Sequence, residues 1–206
     1  MLEPEVLNDK YQKLLKITDK GFKAFLYDCD GTLADNMQAH KDSYIKVAAT
    51  YGIELDTAII DELAGWPTVK VAAEISKRYG VAFDAVAFAD AKSKVFFTDF
   101  MENTKPIGFV HRHLLEHAGK IRIGVVSGGS RRTVQRTLET LGIWDKVEVL
   151  VGAGDTLHGK PAADPFLLAA KQLGVEPEQC MVFEDGEAGV MAAIAAGMQW
   201  VRIDQI

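Results

Sequence analysis

Short apolar runs alternate along this sequence with segments of helical spacing, which predicts an α/β fold: a doubly wound parallel sheet with an inserted α-helical domain. Three observations carry that prediction. Five runs, Ala24 to Tyr27, Ile121 to Val126, Val147 to Val151, Cys180 to Phe183 and Trp200 to Ile203, are nearly continuous in apolar residues, as strands buried on both faces are. Between the later runs lie Arg131 to Leu141, Pro165 to Leu173 and Ala188 to Ala196, whose apolar residues recur at the helical period. The first and second runs are about ninety residues apart, far more than the dozen or so that a crossover connection requires.

Taken in chain order, residues 3–18 form an amphipathic segment with Val6, Leu7, Tyr11, Leu14 and Leu15 on one stripe, read as a packing helix without chemistry. The first strand then runs straight into Asp28-Cys29-Asp30-Gly31-Thr32. Much of the long interval is helical in pattern: Met37 to Tyr51, Asp56 to Leu63, Thr68 to Tyr79 and Asp84 to Glu102. Four helices inserted there make a separate small domain over 35–105, hinged near Asp35 and at Asn103 to Pro106. The core domain is then 1–34 together with 106–206. A crossover helix follows from Ile107 to His117. His113 and His117 stand on it at i, i+4, a spacing that can chelate a metal; with no third ligand nearby they are expected at the helix surface.

Composition narrows the function. The chain has 206 residues, 48% of them apolar and 25% charged, as an ordinary globular protein has. A net charge of −6 argues against a nucleic-acid partner, whose footprint is a basic face. No apolar run approaches the roughly 18 residues of a spanning helix, so no membrane partner is expected. Cys29 and Cys180 fall in strand-like runs and read as buried thiols of a soluble, cytoplasmic protein.

In an open doubly wound sheet, ligands bind beyond the carboxyl ends of the strands. Each such end here delivers polar chemistry. After the first strand come Asp28 and Asp30, two apart and therefore on one side, with Cys29 facing the other way. Paired carboxylates beside a Gly turn can act as nucleophile, metal ligand and acid/base in one cluster. After the second strand comes Ser127-Gly128-Gly129-Ser130, after the third a loop leading to Lys160-Pro161, and after the fourth Glu184-Asp185-Gly186. Each alone is an ordinary turn or solvated charge. Together at one sheet edge they describe an active site.

The motifs DxDGTL, VSGG, GKPAADPF and FEDGEAG, in this order and from Phe22 onward, resemble those of the haloacid dehalogenase superfamily. An insertion directly after the first motif is similar to the helical cap of the β-phosphoglucomutase-like branch. Within that branch GWPT, KPAADPFLLAA, EQCMVFED and AAGM resemble bacterial fructose-1-phosphate and related sugar-phosphate phosphatases.

The resemblance implies a Rossmann-like core and an Mg²⁺-dependent phosphatase that hydrolyses a small sugar phosphate through an aspartyl phosphate. Asp28 would be the nucleophile and Asp30 the acid/base. Ser127, Gly128 and Lys160 would hold the phosphate, and Mg²⁺ would sit on Asp28, the Asp30 carbonyl and Asp185, with Glu184 nearby. Thr32 would order the first loop. His40, ten residues after Asp30, stands where related enzymes place a substrate-facing histidine. Arg131 and Arg132, in a first helical turn, are further substrate-facing candidates. Gly186 and Ala163 depart from the family's frequent Ser and Pro.

Two other readings compete. A phosphomutase of the β-phosphoglucomutase type holds a second phosphate with a cap arginine, but that place, three residues after Gly65, is Thr68, with Lys70 two further on. A non-catalytic regulatory protein on the same fold would not need every ionisable group of the site. The expected partner is therefore a small phosphorylated sugar, with fructose 1-phosphate the best single guess, and the expected assembly a monomer or weak homodimer.

Overall fold

The computed structural model describes residues 4–206. Glu3, where the sequence starts the first helix, lies outside the described residues. The helix itself, α1, spans Pro4–Thr18 and packs Tyr11 and Leu14 into the core, while Val6 stays exposed.

Strands β1 (Ala24–Tyr27), β4 (Arg122–Ser130), β5 (Val149–Ala153), β6 (Cys180–Glu184) and β7 (Gln199–Arg202) form one parallel sheet in the order β5-β4-β1-β6-β7. β1 lies at its centre and is wholly buried, which is why its run carries no charged residue. Alternation sends Phe25, Tyr27 and Cys29 into one apolar layer and Ala24 and Leu26 into the other. Helices α6 (Gly108–His117) and α7 (Arg131–Thr140) contribute to the first layer, and α8 (Asp164–Leu173) and α9 (Glu187–Ala195) to the second. The doubly wound parallel sheet of the sequence reading is thus observed.

The long interval holds α2 (Met37–Thr50), α3 (Ala58–Glu62), α4 (Thr68–Tyr79) and α5 (Ala85–Asp99), with an apolar cluster of their own around Tyr44, Ile59, Val71, Ile75 and Phe88. Two short strands, β2 (Ala34–Asp35) and β3 (Lys105–Pro106), pair antiparallel where the chain leaves and re-enters the sheet. Asp84 starts α5 by accepting from the amides of Val86 and Ala87.

The structure corrects several boundaries and one assignment. β4 continues through Ser127-Gly128-Gly129-Ser130, with a register shift between Val126 and Ser130, so those residues are irregular strand rather than a loop. α3 starts only at Ala58, whose amide is held by the Asp56 carboxylate. α5 stops at Asp99 and a single 3₁₀ turn, Met101–Asn103, follows.

His113 is fully buried, contrary to the surface position expected, because β1 and α1 cover that side of α6. His117 is partly buried against Phe25 and engages the His113 carbonyl through Nδ1. No helix among the described residues is long and apolar enough to cross a membrane. Both cysteines are buried free thiols.

Candidate active site

The carboxyl ends of β1, β4 and β6 lie side by side, and the polar residues that follow them converge. Asp28 continues the β1 ladder, its amide donating to the Phe183 carbonyl at 2.9 Å, so its carboxyl starts from a rigid strand end. Gly31 turns the chain with φ +87° beside Asp185; a Cβ there would lie 2.2 Å from Asp185 Oδ2, so only glycine fits. Thr32 Oγ1 donates to Asp185 Oδ1 at 3.0 Å, tying the loop after β1 to the loop after β6. This is the ordering role expected of Thr32.

Lys160 enters from the loop before α8 and is 2% exposed. Its Nζ donates to Asp28 Oδ1 at 2.6 Å, to the Val126 carbonyl at 2.9 Å and to Glu184 Oε1. All three ammonium protons are thereby used, which is how a buried lysine is tolerated. Glu184 is 1% exposed and its other oxygen accepts the amides of Asp185 and Gly186 at 3.1 Å each. Gly189 on α9 makes room for it, since a Cβ there would fall 1.8 Å from Oε1.

Asp28, Glu184 and Asp185 offer carboxylate oxygens all within 4.8 Å of one another. Three carboxylates against one lysine leave excess negative charge. Burial pushes the Asp28 carboxyl well up, Glu184 and Asp185 adding to this and Lys160 opposing it. Burial and then Glu184 raise Asp185 to about 7. Lys160 stays an ammonium, because Asp28 and Glu184 outweigh its desolvation.

Asp30 is held differently. Asn36 Nδ2 donates to its Oδ1 at 2.6 Å, and His40 Nε2 lies 3.1 Å from that same oxygen. Its Oδ2 is left on the side of the Ser127 to Gly129 segment, 3.7 Å from where a Gly129 Cβ would stand. Burial raises the Asp30 carboxyl, but His40, Asn36 and Lys92 more than offset this and hold it well below the usual range.

Lys92, on α5, is 4% exposed and contacts His40 Nδ1 with its ammonium over the Tyr44 and Phe96 rings. An ammonium can only donate, so Nδ1 accepts and the imidazole proton sits on Nε2, facing Asp30. His40 stacks on Phe96 at 4.1 Å between ring centroids, which fixes its plane.

A cavity opens over these groups, lined by Asp28, Asp30, Ser127, Gly128 and Gly129 below and by His40, Tyr44, Leu63, Trp66, Thr68 and Lys92 above. Ser127 Oγ accepts the Gly129 amide at 3.0 Å, keeping the hydroxyl turned into that segment. The loop Ala64 to Pro67 crosses directly above it: a Cβ on Gly128 would lie 2.7 Å from the Gly65 carbonyl oxygen. Gly128 is therefore required by this close approach.

The structure thus brings together Asp28, Asp30, Ser127, Gly128, Lys160, Glu184, Asp185 and His40. It does not bring the arginines. Arg131 donates to the Leu150 carbonyl and to Asp155, and Arg132 covers the Phe97 ring. Thr68 lines the cavity, whereas Lys70 lines an adjoining groove that shares Ser127 and Gly128 with it and also includes Lys160 and Leu157.

Sequence reasoning missed Asn36 and Lys92. The second had a signal: Phe88, Lys92 and Phe96 recur at i, i+4 and i+8, placing a lone lysine on an apolar helix stripe.

The model of the haloacid dehalogenase-like hydrolases matches residues 25–203. The chain belongs to this family and is a hydrolase. It is 31% identical over 182 residues to the fructose-1-phosphate phosphatase of Escherichia coli (strain K12), covering 88% of this chain and 96% of that protein. It is 28% identical to the validoxylamine A 7'-phosphate phosphatase of Streptomyces hygroscopicus subsp. limoneus, over 86% of this chain and 83% of the relative. Among solved structures, a β-phosphoglucomutase from Clostridium difficile superposes with a TM-score of 0.77 at 26% identity, over 88% of this chain and 84% of the other.

Proposed function

We propose that this enzyme is an Mg²⁺-dependent phosphatase that hydrolyses a small sugar phosphate through a phosphoryl group carried on Asp28. The observation that carries this reading is the cluster of Asp28, Lys160, Glu184 and Asp185, of which Asp28 opens into a cavity whose roof bears His40 and Lys92. Residues 35–105 are the cap, and the cap supplies the compartment for the leaving group.

The donor set suits a hard divalent cation. Clustered carboxylate oxygens, two of them on groups pushed toward protonation by burial and then by neighbouring carboxylates, are what Mg²⁺ takes, and sulfur or imidazole ligands are lacking among the described residues of the cluster. Asp28 and Asp185 would hold it with the Asp30 carbonyl, Glu184 standing behind. Once bound, Mg²⁺ neutralises charge that would otherwise keep a carboxylate away from a phosphate dianion.

The chain's own residues then do the following. Ser127 and the Gly128 amide, with Lys160, receive the phosphoryl oxygens. An Asp28 oxygen bonds to phosphorus as the phosphorus–sugar oxygen bond breaks, and Asp30 gives its proton to the departing oxygen. Asp30 is a carboxylate before substrate enters; a phosphate dianion brought up to Oδ2 raises its proton affinity, so it loads a proton only with substrate present. In the second half Asp30 takes a proton from water, the water oxygen bonds to phosphorus, and the Asp28–phosphorus bond breaks to release inorganic phosphate.

Hydrolysis is favoured over phosphate migration by the cavity's upper wall. Thr68 offers no cation there, and Lys70, in the adjoining groove, is a point charge, so a second phosphate lacks the bidentate fork it would need. A screen of phosphorylated sugars with Mg²⁺ tests the reading, with fructose 1-phosphate the leading candidate. Release of inorganic phosphate supports it; rapid conversion of β-glucose 1-phosphate to glucose 6-phosphate with negligible free phosphate overturns it. The two buried thiols and the small anionic substrate fit a cytoplasmic enzyme.

A further inference from the structure

The family match begins at residue 25, after α1, so this helix lies outside the matched residues. It is nonetheless joined to the strand that carries Asp28. Thr18, the last residue of α1, donates its hydroxyl proton to the Leu14 carbonyl at 3.0 Å, and the same oxygen lies 2.9 Å from His113 Nε2. Having spent its only proton, Thr18 can only accept from the imidazole. His113 is therefore protonated on Nε2, and Nδ1 accepts from the Tyr27 hydroxyl at 2.8 Å. Every proton in this buried chain is thus assigned, in one direction: Tyr27 to His113 to Thr18 to the carbonyl end of α1.

The upper member of the chain sits under the site. Tyr27 immediately precedes Asp28, and its ring stacks on Phe183 at 4.3 Å between centroids. Phe183 immediately precedes Glu184, and the Asp28 amide bonds its carbonyl. The stack therefore braces the two hydrogen-bonded strand ends that hold Asp28 and the Glu184–Asp185 pair. α1 is itself anchored on α6, where Tyr11 donates to Glu116 under the Arg112 guanidinium, and at the chain's end, where Lys10 donates to the Ile206 carbonyl.

We infer that Thr18, His113 and Tyr27 are positioning residues, through which α1 holds the nucleophile strand at its working distance from the acidic pair after β6. This inference rests on the metal-dependent reading of that pair.

Thr18→Val and Tyr27→Phe in the full-length chain test it, with Thr18→Ser as the conservative variant. The measurements are kcat, KM, direct Mn²⁺ binding by electron paramagnetic resonance, and the melting temperature. The expected result is a fall of about threefold to tenfold in kcat and in Mn²⁺ affinity, with KM held within about twofold and Thr18→Ser close to wild type. Variants that melt earlier but keep wild-type kcat and Mn²⁺ affinity well below their melting temperature would overturn the inference. A wild-type protein that binds no Mn²⁺ and needs no divalent ion would overturn the reading beneath it as well, so the two failures are distinguishable.

Discussion

Asn36 and His40 both address Oδ1 of Asp30, at 2.6 and 3.1 Å, and leave Oδ2 on the side of the phosphate seat. A carboxyl held by one oxygen presents the other in a fixed direction, which is what an acid/base group that must serve two successive half-reactions needs. Asn36→Leu should therefore lower kcat by about tenfold while leaving KM nearly unchanged, as steady-state kinetics on the best substrate will show.

Lys92 acts one step further back, by fixing which nitrogen of His40 carries the proton. Lys92→Met keeps the length and the apolar packing against Tyr44 and Phe96 but removes the donor, so His40 can turn its unprotonated nitrogen toward Asp30. The expected outcome is a folded enzyme with kcat reduced about tenfold or more and an altered acidic limb in its pH profile. An unchanged profile and rate would remove Lys92 from the mechanism.

How much of this was legible beforehand depends on the range of the signal. β1 and β6 were readable because strands buried on both faces must be apolar throughout, and the acidic ends were readable because each motif is contiguous. His113 was not readable: its partners Thr18 and Tyr27 are 95 and 86 residues away, and helical spacing says nothing of which face another element will cover. Lys92 was half-legible, its position on the stripe being visible but its partner on another helix not. The extent of β4 was obscured by Gly128 and Gly129, which favour turns locally and are strand here because β5 pairs across the bulge.

Burial of His113 makes a pH prediction. Desolvation, with the neighbouring His117, lowers it from 6.5 to about 3 in the folded protein, among Phe25, Tyr27, Phe183 and Thr18, with Glu116 acting weakly the other way. The unfolded chain therefore takes up a proton first. Stability from this group is complete above about pH 6.5 and is lost as pH falls toward 3, by up to about 1.4 kcal/mol per pH unit. Urea denaturation of wild type and His113→Leu between pH 4.5 and 7 should differ by a slope of that sign, the opposite contribution of the raised Asp28 and Asp185 carboxyls being common to both proteins; His113→Leu is expected to be less stable at neutral pH.

Lys160 offers a stability test of the acidic cluster. Lys160→Met leaves Asp28 and Glu184 buried without their cation, which should abolish turnover and cost about 3–5 kcal/mol of stability in chelator. Adding Mg²⁺ should recover part of the lost stability but not the activity, as parallel urea melts and assays will show. Wild-type activity should vanish in excess chelator and return with Mg²⁺.

The central claim is that Asp28 carries the phosphoryl group, and rapid acid quench during turnover tests it most directly. Fructose 1-phosphate, or the best substrate from the screen, is mixed with enzyme and Mg²⁺, quenched within one turnover, digested and examined by mass spectrometry. The peptide containing Asp28 should carry one phosphoryl group that hydroxylamine removes, and the Asp28→Asn protein, folded and still binding Mn²⁺ weakly, should carry none. A wild-type enzyme that releases phosphate at full rate with Asp28 unmodified at every quench time, or an Asp28→Asn protein that turns over like wild type, would contradict the account.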